Sequence, residues 1–423
     1  MGNLNKLLIF ISFILIFGCA TIAPTTISEK NIAAIYNPSS TTIHPKLFVY
    51  NKDTENTLLY IYLYTPELLF LQTSGSTLPT SKVKIYYKII ESIDNETIID
   101  SATTYLSIKK NATQTSMITF LKLKTVDLDK YVVQVLVKDE YRKKSNIAFI
   151  EVDNTEKFGE KNFLVSYADD LRPTFNNYAY SSENYLIEFN KNIEKLYVSY
   201  FKLDNSLPLP PFSTKFEKLI YPEADSTWAL DYSGNVSFKP EKVGIYFFQT
   251  DTTVMKGKTI INFGDEYPIL QKSATLLKTL EYLTTTDEFE DLSKIENKKL
   301  AVDNFWLNST QDENQAKELI RIYYNRVMFA NIYFTTYKEG WKTDRGMIYI
   351  VFGPPKIVNK KDGYEKWIYS DSKSVKTVEY EFFKRENKFT EEDYVLKRDL
   401  AQKNYWQYAI ETWRGGSIFS LDY

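Results

Sequence analysis

A chain of 423 residues with a single cysteine, Cys19, must fold without an internal disulfide. Its stability has to come from packed apolar cores, because cross-links within the chain are excluded. The same count removes thiol nucleophiles and cysteine zinc sites from any folded region. Histidine is as scarce: His44 is the only one, and it precedes the first strand-like run. A Ser-His-Asp triad, a histidine general base in a folded site and an HExxH zinc helix are therefore excluded. No metal and no cofactor is expected, and any chemistry would rest on carboxylates, Lys, Arg or Tyr.

The place of Cys19 matters as much as its solitude. Lys6 supplies a positive charge, Leu7 to Phe17 is an apolar run, and Gly18 precedes the cysteine. This is the order of a secretory signal, and the run is too short to cross a bilayer core of about 30 Å as a helix. Ile16-Phe17-Gly18-Cys19 resembles the bacterial lipobox, which implies cleavage after Gly18 and lipid, palmitate included, on Cys19. We expect a signal peptide over 1–18 and a lipidated tether over 19–45, rich in Thr, Ser and Ala. No acidic run follows Cys19, which favours an outer-membrane anchor facing the periplasm.

Lys plus Arg is 52 and Asp plus Glu is 54, so nothing offers nucleic acid a basic face. Aromatics are 16%, led by 33 Tyr and 27 Phe, which suits strands and also supplies rings that can stack on sugars. Residues 46–155 alternate short β-branched and aromatic runs with turn-rich pieces. In Lys130 to Asp139, Tyr131, Val133, Val135 and Val137 share one face at period two. The reading is an immunoglobulin-like β-sandwich without its disulfide. Residues 156–266 repeat the pattern, and Val243 to Asp251 echoes Lys130 to Asp139, so a second sandwich is expected. The fold class is thus multi-domain and mainly β, with an α+β module over 267–423.

In that last stretch, Leu276, Leu277, Leu280 and Leu283 fall at helical spacing, and Thr286-Asp287-Glu288 reads as a helix start. Residues 312–338 carry the longest helical stripe, of Ala316, Leu319, Ile320, Tyr323, Tyr324, Val327, Ala330, Asn331 and Phe334. Then comes Gly340-Trp341-Lys342-Thr343-Asp344-Arg345-Gly346. Met347 to Phe352 reads as a buried strand ended by Gly353-Pro354-Pro355. Gly340 is expected to end the helix in a left-handed conformation, Gly346 to take a positive φ, Thr343 and Asp344 to cap turn amides, and Arg345 to pair with Asp344. Glu365 to Tyr369 and Val375 to Phe383 alternate as strands, expected to form a small sheet with 347–352 against the long helix.

GWKTDRGMIYIVFGPP resembles the signature of the GWxTD domain family, found in envelope and secreted proteins of Bacteroidetes, Acidobacteria and related bacteria. Phe305-Trp306, Tyr323 to Val327, Ala330-Asn331, Glu365 to Tyr369 and Trp406 to Arg414 fit the same pattern, over roughly residues 270–423. The resemblance implies a lipoprotein of the cell envelope, with β-rich domains ahead of the module. It implies placement rather than mechanism.

Three functions are open to such a chain. One is a non-enzymatic binding or assembly lipoprotein, with the membrane and envelope proteins or glycan as partners, and Gly340, Trp341, Thr343, Asp344, Arg345 and Gly346 as its recognition loop or as a fold-defining turn. Another is an envelope glycan hydrolase, which needs two carboxylates roughly 5–10 Å apart. Asp344 is its best candidate, with Glu339, Glu365, Glu379 or Glu381 as partner. The last is passive glycan binding through a row of exposed rings. Separately, Asp100-Ser101-Ala102, Asp225-Ser226-Thr227 and Asp251-Thr252-Thr253 resemble the O-glycosylation triplet of Bacteroidetes, with Ser101, Ser226 and Thr252 as acceptors.

Overall fold

Alternation of apolar and polar residues builds the first unit of the computed structural model. The structure describes residues 31–38, 43–53, 55–72, 77–111, 113–124, 128–215, 218–310, 312–370 and 377–419. The expected signal peptide, Cys19 and most of the tether lie outside the described residues. Among those residues, no helix is long and apolar enough to cross a membrane.

Seven strands follow: β1 (Lys46–Asn51), β2 (Thr57–Tyr64), β3 (Thr80–Ile90), β4 (Ile98–Lys109), β5 (Ser116–Leu123), β6 (Lys130–Asp139) and β7 (Lys144–Asp153). They form two antiparallel sheets, β1-β2-β5 and β4-β3-β6-β7. Side chains of alternate residues meet between them: Val49, Leu59 and Ile61 from one sheet pack with Val83, Ile85 and Val133 from the other. Tyr131, Val133, Val135 and Val137 all lie in this core, as their period-two spacing predicts. Burying an aliphatic side chain of this size contributes about 1.5–3 kcal/mol.

The second unit repeats that connectivity. Its strands are β8 (Phe163–Tyr167), β9 (Tyr185–Phe189), β10 (Lys195–Phe201), β11 (Ser226–Asp231), β12 (Val236–Phe238), β13 (Gly244–Gln249) and β14 (Lys258–Asn262). They pair as β12-β9-β8 and β11-β10-β13-β14. Shifting every strand of the first unit along by seven reproduces both sheets of the second. The echo between 130–139 and 243–251 is therefore topological, since β6 and β13 hold the same place. β13 is buried throughout because both its faces are covered. Tyr246 and Phe248 face the core of their own unit, whereas Ile245 and Phe247 meet Phe389 of the third.

The third unit carries α1 (Ser273–Thr279), α2 (Thr286–Lys294), α3 (Lys298–Asn308), α4 (Glu313–Phe334), α5 (Asp344–Phe352) and α6 (Lys403–Arg414). An antiparallel meander joins them, β15 (Ile357–Lys361), β16 (Tyr364–Ser370), β17 (Thr377–Lys384) and β18 (Tyr394–Leu396), in that spatial order. Thr285 caps α2 in a reciprocal box with Glu288, and Asp312 caps α4. Most of the α4 stripe is buried, Asn331 included, with Ile320 and Tyr324 half-buried beside it.

Several expectations change here. Residues 347–352 form a helix, not a strand, and all nine residues of α5 are buried. An apolar run without polar interruptions has no period to read, so it suits a fully buried helix as well as a fully buried strand. The sheet takes β15 and β18 in its place. Within the expected tether, residues 31–36 are packed rather than loose. Ile32, Ala33 and Tyr36 join the core of the third unit, and the Ile32 N–H donates to the Val358 carbonyl at 3.0 Å on the outer edge of β15.

Candidate functional site

The signature residues are interior. Trp341 is fully buried at the end of α4, against the ring of Tyr282. Its backbone is held from two sides: its N–H donates to Asn331 Oδ1 at 3.0 Å, and its carbonyl accepts the Tyr282 hydroxyl at 2.7 Å. Asn331 is a satisfied core amide, its Nδ2 donating to the Pro268 carbonyl at 2.8 Å. Gly340 is required by proximity and not by a left-handed φ. A Cβ there would overlap the Ala330 carbonyl oxygen, so α4 and the Gly340 backbone touch directly. Gly346 likewise lies inside α5, where a Cβ would overlap the Gly340 carbonyl oxygen. Neither glycine has the positive φ that the sequence suggested.

Thr343 behaves as expected. Its hydroxyl donates to the Gly340 carbonyl at 2.7 Å and accepts the Gly346 N–H at 3.0 Å, capping α5. Asp344 and Arg345 do not pair with each other. As first residues of a helix they project to opposite partners. Asp344 Oδ2 accepts the Leu396 N–H at 2.8 Å, and its Oδ1 accepts Arg398 at 2.6 Å. Arg345 lies against the Tyr394 ring at 4.2 Å, donates to the Glu392 carbonyl at 2.9 Å and stands 3.6 Å from Glu365.

Around Glu365 is a buried polar cluster that the sequence reading missed. Tyr36 donates its hydroxyl to both Glu365 oxygens at 3.0 and 3.1 Å, the Trp367 indole donates at 3.2 Å, and Lys360 lies at 3.3 Å. Burial alone would raise this carboxyl's pKa. Lys360, Arg345 and the two hydrogen bonds outweigh burial and hold it below its ordinary value. No local signal links Tyr36 to Glu365, because 329 residues separate them.

The carboxylates named for hydrolysis are all neutralised in place. Asp344 pairs with Arg398, Glu339 with Lys342, Glu365 with Arg345 and Lys360, Glu379 with Lys366, and Glu381 with Lys397. Among the described residues, no group of three or more His, Cys, Asp or Glu is placed to hold a metal ion. Nor, among the described residues, do the rings of the first sheet form a flat row. Phe48, Tyr60 and Phe120 touch across β1-β2-β5, but tilted by 32° and 45°. Ser101, Ser226 and Thr252 are exposed.

What the signature builds is the back of a groove of about 870 Å³. One wall is the loop Leu207 to Phe212 of the second unit, another is Tyr282 to Glu290, and α6 is the third, with Met347 of α5 on the floor. Two of these walls and the floor are tied to the signature. Arg398, held by Asp344, donates to the Leu209 carbonyl at 3.1 Å. Lys342 donates to Asn205 Oδ1 at 2.8 Å, just before the same loop. Tyr282 is bonded to Trp341, and Met347 belongs to the helix that Thr343 caps.

Residues 244–415 match the family model of the GWxTD domain. The match begins in β13, earlier than the 270 suggested by the resemblance, and so includes the strands covered by Phe389. No curated protein matches the chain. One solved structure, entitled "Crystal structure of CBD12 from CALX1.2", aligns with 60% of this chain and 93% of its own at 10% identity and a TM-score of 0.14. At that score it bears on neither fold nor function.

Proposed function

We propose, from the premise that residues 244–415 are a GWxTD domain, that the chain is a lipid-anchored binding or assembly component of the bacterial cell envelope, exported and held through Cys19 at the outer membrane on its periplasmic side. One observation carries the binding reading. Thr343, Asp344 and Arg345 of the signature spend their polar groups on the chain's own backbone and ion pairs, while the groove beside them stays open. That is the economy of a preorganised recognition surface, in which buried groups fix the walls and exposed ones meet the partner.

The immunoglobulin-like reading of the two β units is supported by their strand order. In each, the first strand lies beside the second and the second beside the fifth, while the third, sixth and seventh run together in the facing sheet. Such sandwiches serve as spacers and contact platforms. The exposure of Ser101, Ser226 and Thr252 leaves all three triplets open to the periplasmic O-glycosylation that export would allow.

The reading is tested by producing the native chain and a Cys19→Ser variant in a bacterial host that lipidates envelope proteins. The native chain should incorporate labelled palmitate and sediment with the outer membrane, and the variant should do neither. Crosslinking in intact cells should recover one reproducible envelope protein with the native chain. A soluble, unlabelled native chain would end the anchor reading, and recovery of no partner would end the binding reading.

A further inference from the structure

The groove carries charge that its own chain leaves unanswered. Glu281, Glu290 and Glu411 line it from two different walls and are exposed. Among the described residues, none of the three carboxylates has a hydrogen bond or an ion pair. Lys278 lies near Glu281, but its ammonium donates to the Asn205 carbonyl at 3.1 Å. The cation on the rim, Arg414, is already taken by Glu288 at 2.5 and 3.0 Å. Burial raises the Glu281 carboxyl above its ordinary pKa, with Lys278 opposing. Between these carboxylates lie apolar side chains that are only partly covered: Leu207, Phe212, Phe289 and Ile410.

Groove shape and charge together select an occupant. A cation is wanted on two walls and an apolar side chain between them. The large rings in the groove do not offer a sugar platform, since Trp406 and Tyr282 are 5% and 6% exposed. The Leu207 to Phe212 wall is pinned at Asn205, Ser206, Leu209 and Pro211 by groups of the third unit, so the groove is preformed.

We propose that this groove binds an extended peptide segment of a partner protein, in which Lys or Arg side chains flank a Leu- or Ile-sized anchor. The anchor sits between Phe289 and Ile410, and the cations meet Glu281, Glu290 and Glu411. This rests on the binding reading above and names the chemistry of its partner. The two signs are matched across a largely apolar floor, the arrangement that gives specificity and salt-dependent association at an interface.

The test uses the full chain carrying Cys19→Ser, purified in soluble form, and fluorescence anisotropy with two labelled peptides of equal length, one of Lys-Leu-Pro repeats and one of Glu-Leu-Pro repeats. The basic peptide should bind, the acidic one should bind at least about tenfold more weakly, and added salt should weaken the basic one. A triple variant, Glu281→Gln with Glu290→Gln and Glu411→Gln, alters only exposed side chains and should keep the parent's thermal melting. It should lose about tenfold in affinity for the basic peptide and most of the salt dependence. A second variant, Ile410→Asp, should weaken it further. Equal binding of the two peptides, or unchanged binding by the triple variant, overturns the proposal. So does displacement of the peptide by a soluble N-acetylglucosamine oligomer, which would assign the groove to glycan. The crosslinked envelope partner separates the two readings. If the triple variant still captures it, the groove assignment fails and the binding reading stands.

Discussion

At His44 both ring nitrogens face acceptors. Nδ1 lies 2.7 Å from Glu67 Oε1, and Nε2 lies 2.6 Å from the Asn37 carbonyl. A neutral ring could donate to only one of them, so the geometry is that of an imidazolium. Partial burial pulls the pKa down, but the Glu67 carboxylate and the Asn37 carbonyl pull harder, and it is raised above the ordinary 6.5. A raised folded pKa means that the contribution to stability is complete below the unfolded pKa and is lost as pH rises through the folded one. Because the chain has one histidine, its imidazole signals in a proton NMR titration need no assignment. We predict a midpoint above 6.5, moved down by Glu67→Gln. A midpoint at or below 6.5 in the unaltered chain would show that the ring is not held by these two acceptors.

The helix α5 shows where reading by element works and where it stops. The strand-rich character of the first two units, α2 and α4 were legible, because most of these elements turn one apolar face inward and therefore carry a period. α5 has none, since every side chain from Asp344 to Phe352 is buried. The mark of a helix was present in Thr343, whose spacing to Gly346 is that of an N-cap, but the six apolar residues that follow spoke as loudly for a strand. Thr343→Ala is predicted to cost about 1 kcal/mol and Thr343→Ser much less, measured by urea unfolding. Were α5 held by packing alone, both changes would be silent. The candidate site was half legible. The signature residues stood out in the sequence, and in the structure all but Thr343 are buried. The groove they brace draws its walls from 207–212, 282–290 and α6, stretches that no local pattern brings together.

Across the whole molecule, the segment 31–36 is a structural part of the last domain. Tyr36 is 6% exposed, packs against Tyr333, Phe334 and Trp367, and accepts the Tyr349 hydroxyl on its carbonyl. Tyr36→Ala would remove that aromatic volume and the hydroxyl that serves Glu365. The loss predicted for the third unit is about 3–5 kcal/mol. Tyr36→Phe, which keeps the ring, should cost less, and thermal unfolding of the two variants would separate packing from hydrogen bonding. Equal melting of Tyr36→Ala and the native chain would mean that the segment docks without bearing weight. The units are also joined by charge, with Lys384 on Glu151 at 2.7 Å and Lys161 on Glu391 at 2.9 Å.

The docking of Ile32 on the edge of β15 reverses the order that the sequence suggests. Read along the chain, the first β unit would follow the proposed anchor and the GWxTD domain would come after both β units. In space, Cys19 precedes Asn31 by only twelve residues, a leash of at most about 43 Å when fully stretched. A lipid on Cys19 would therefore moor the last domain to the membrane first. The two β units would hang from that mooring.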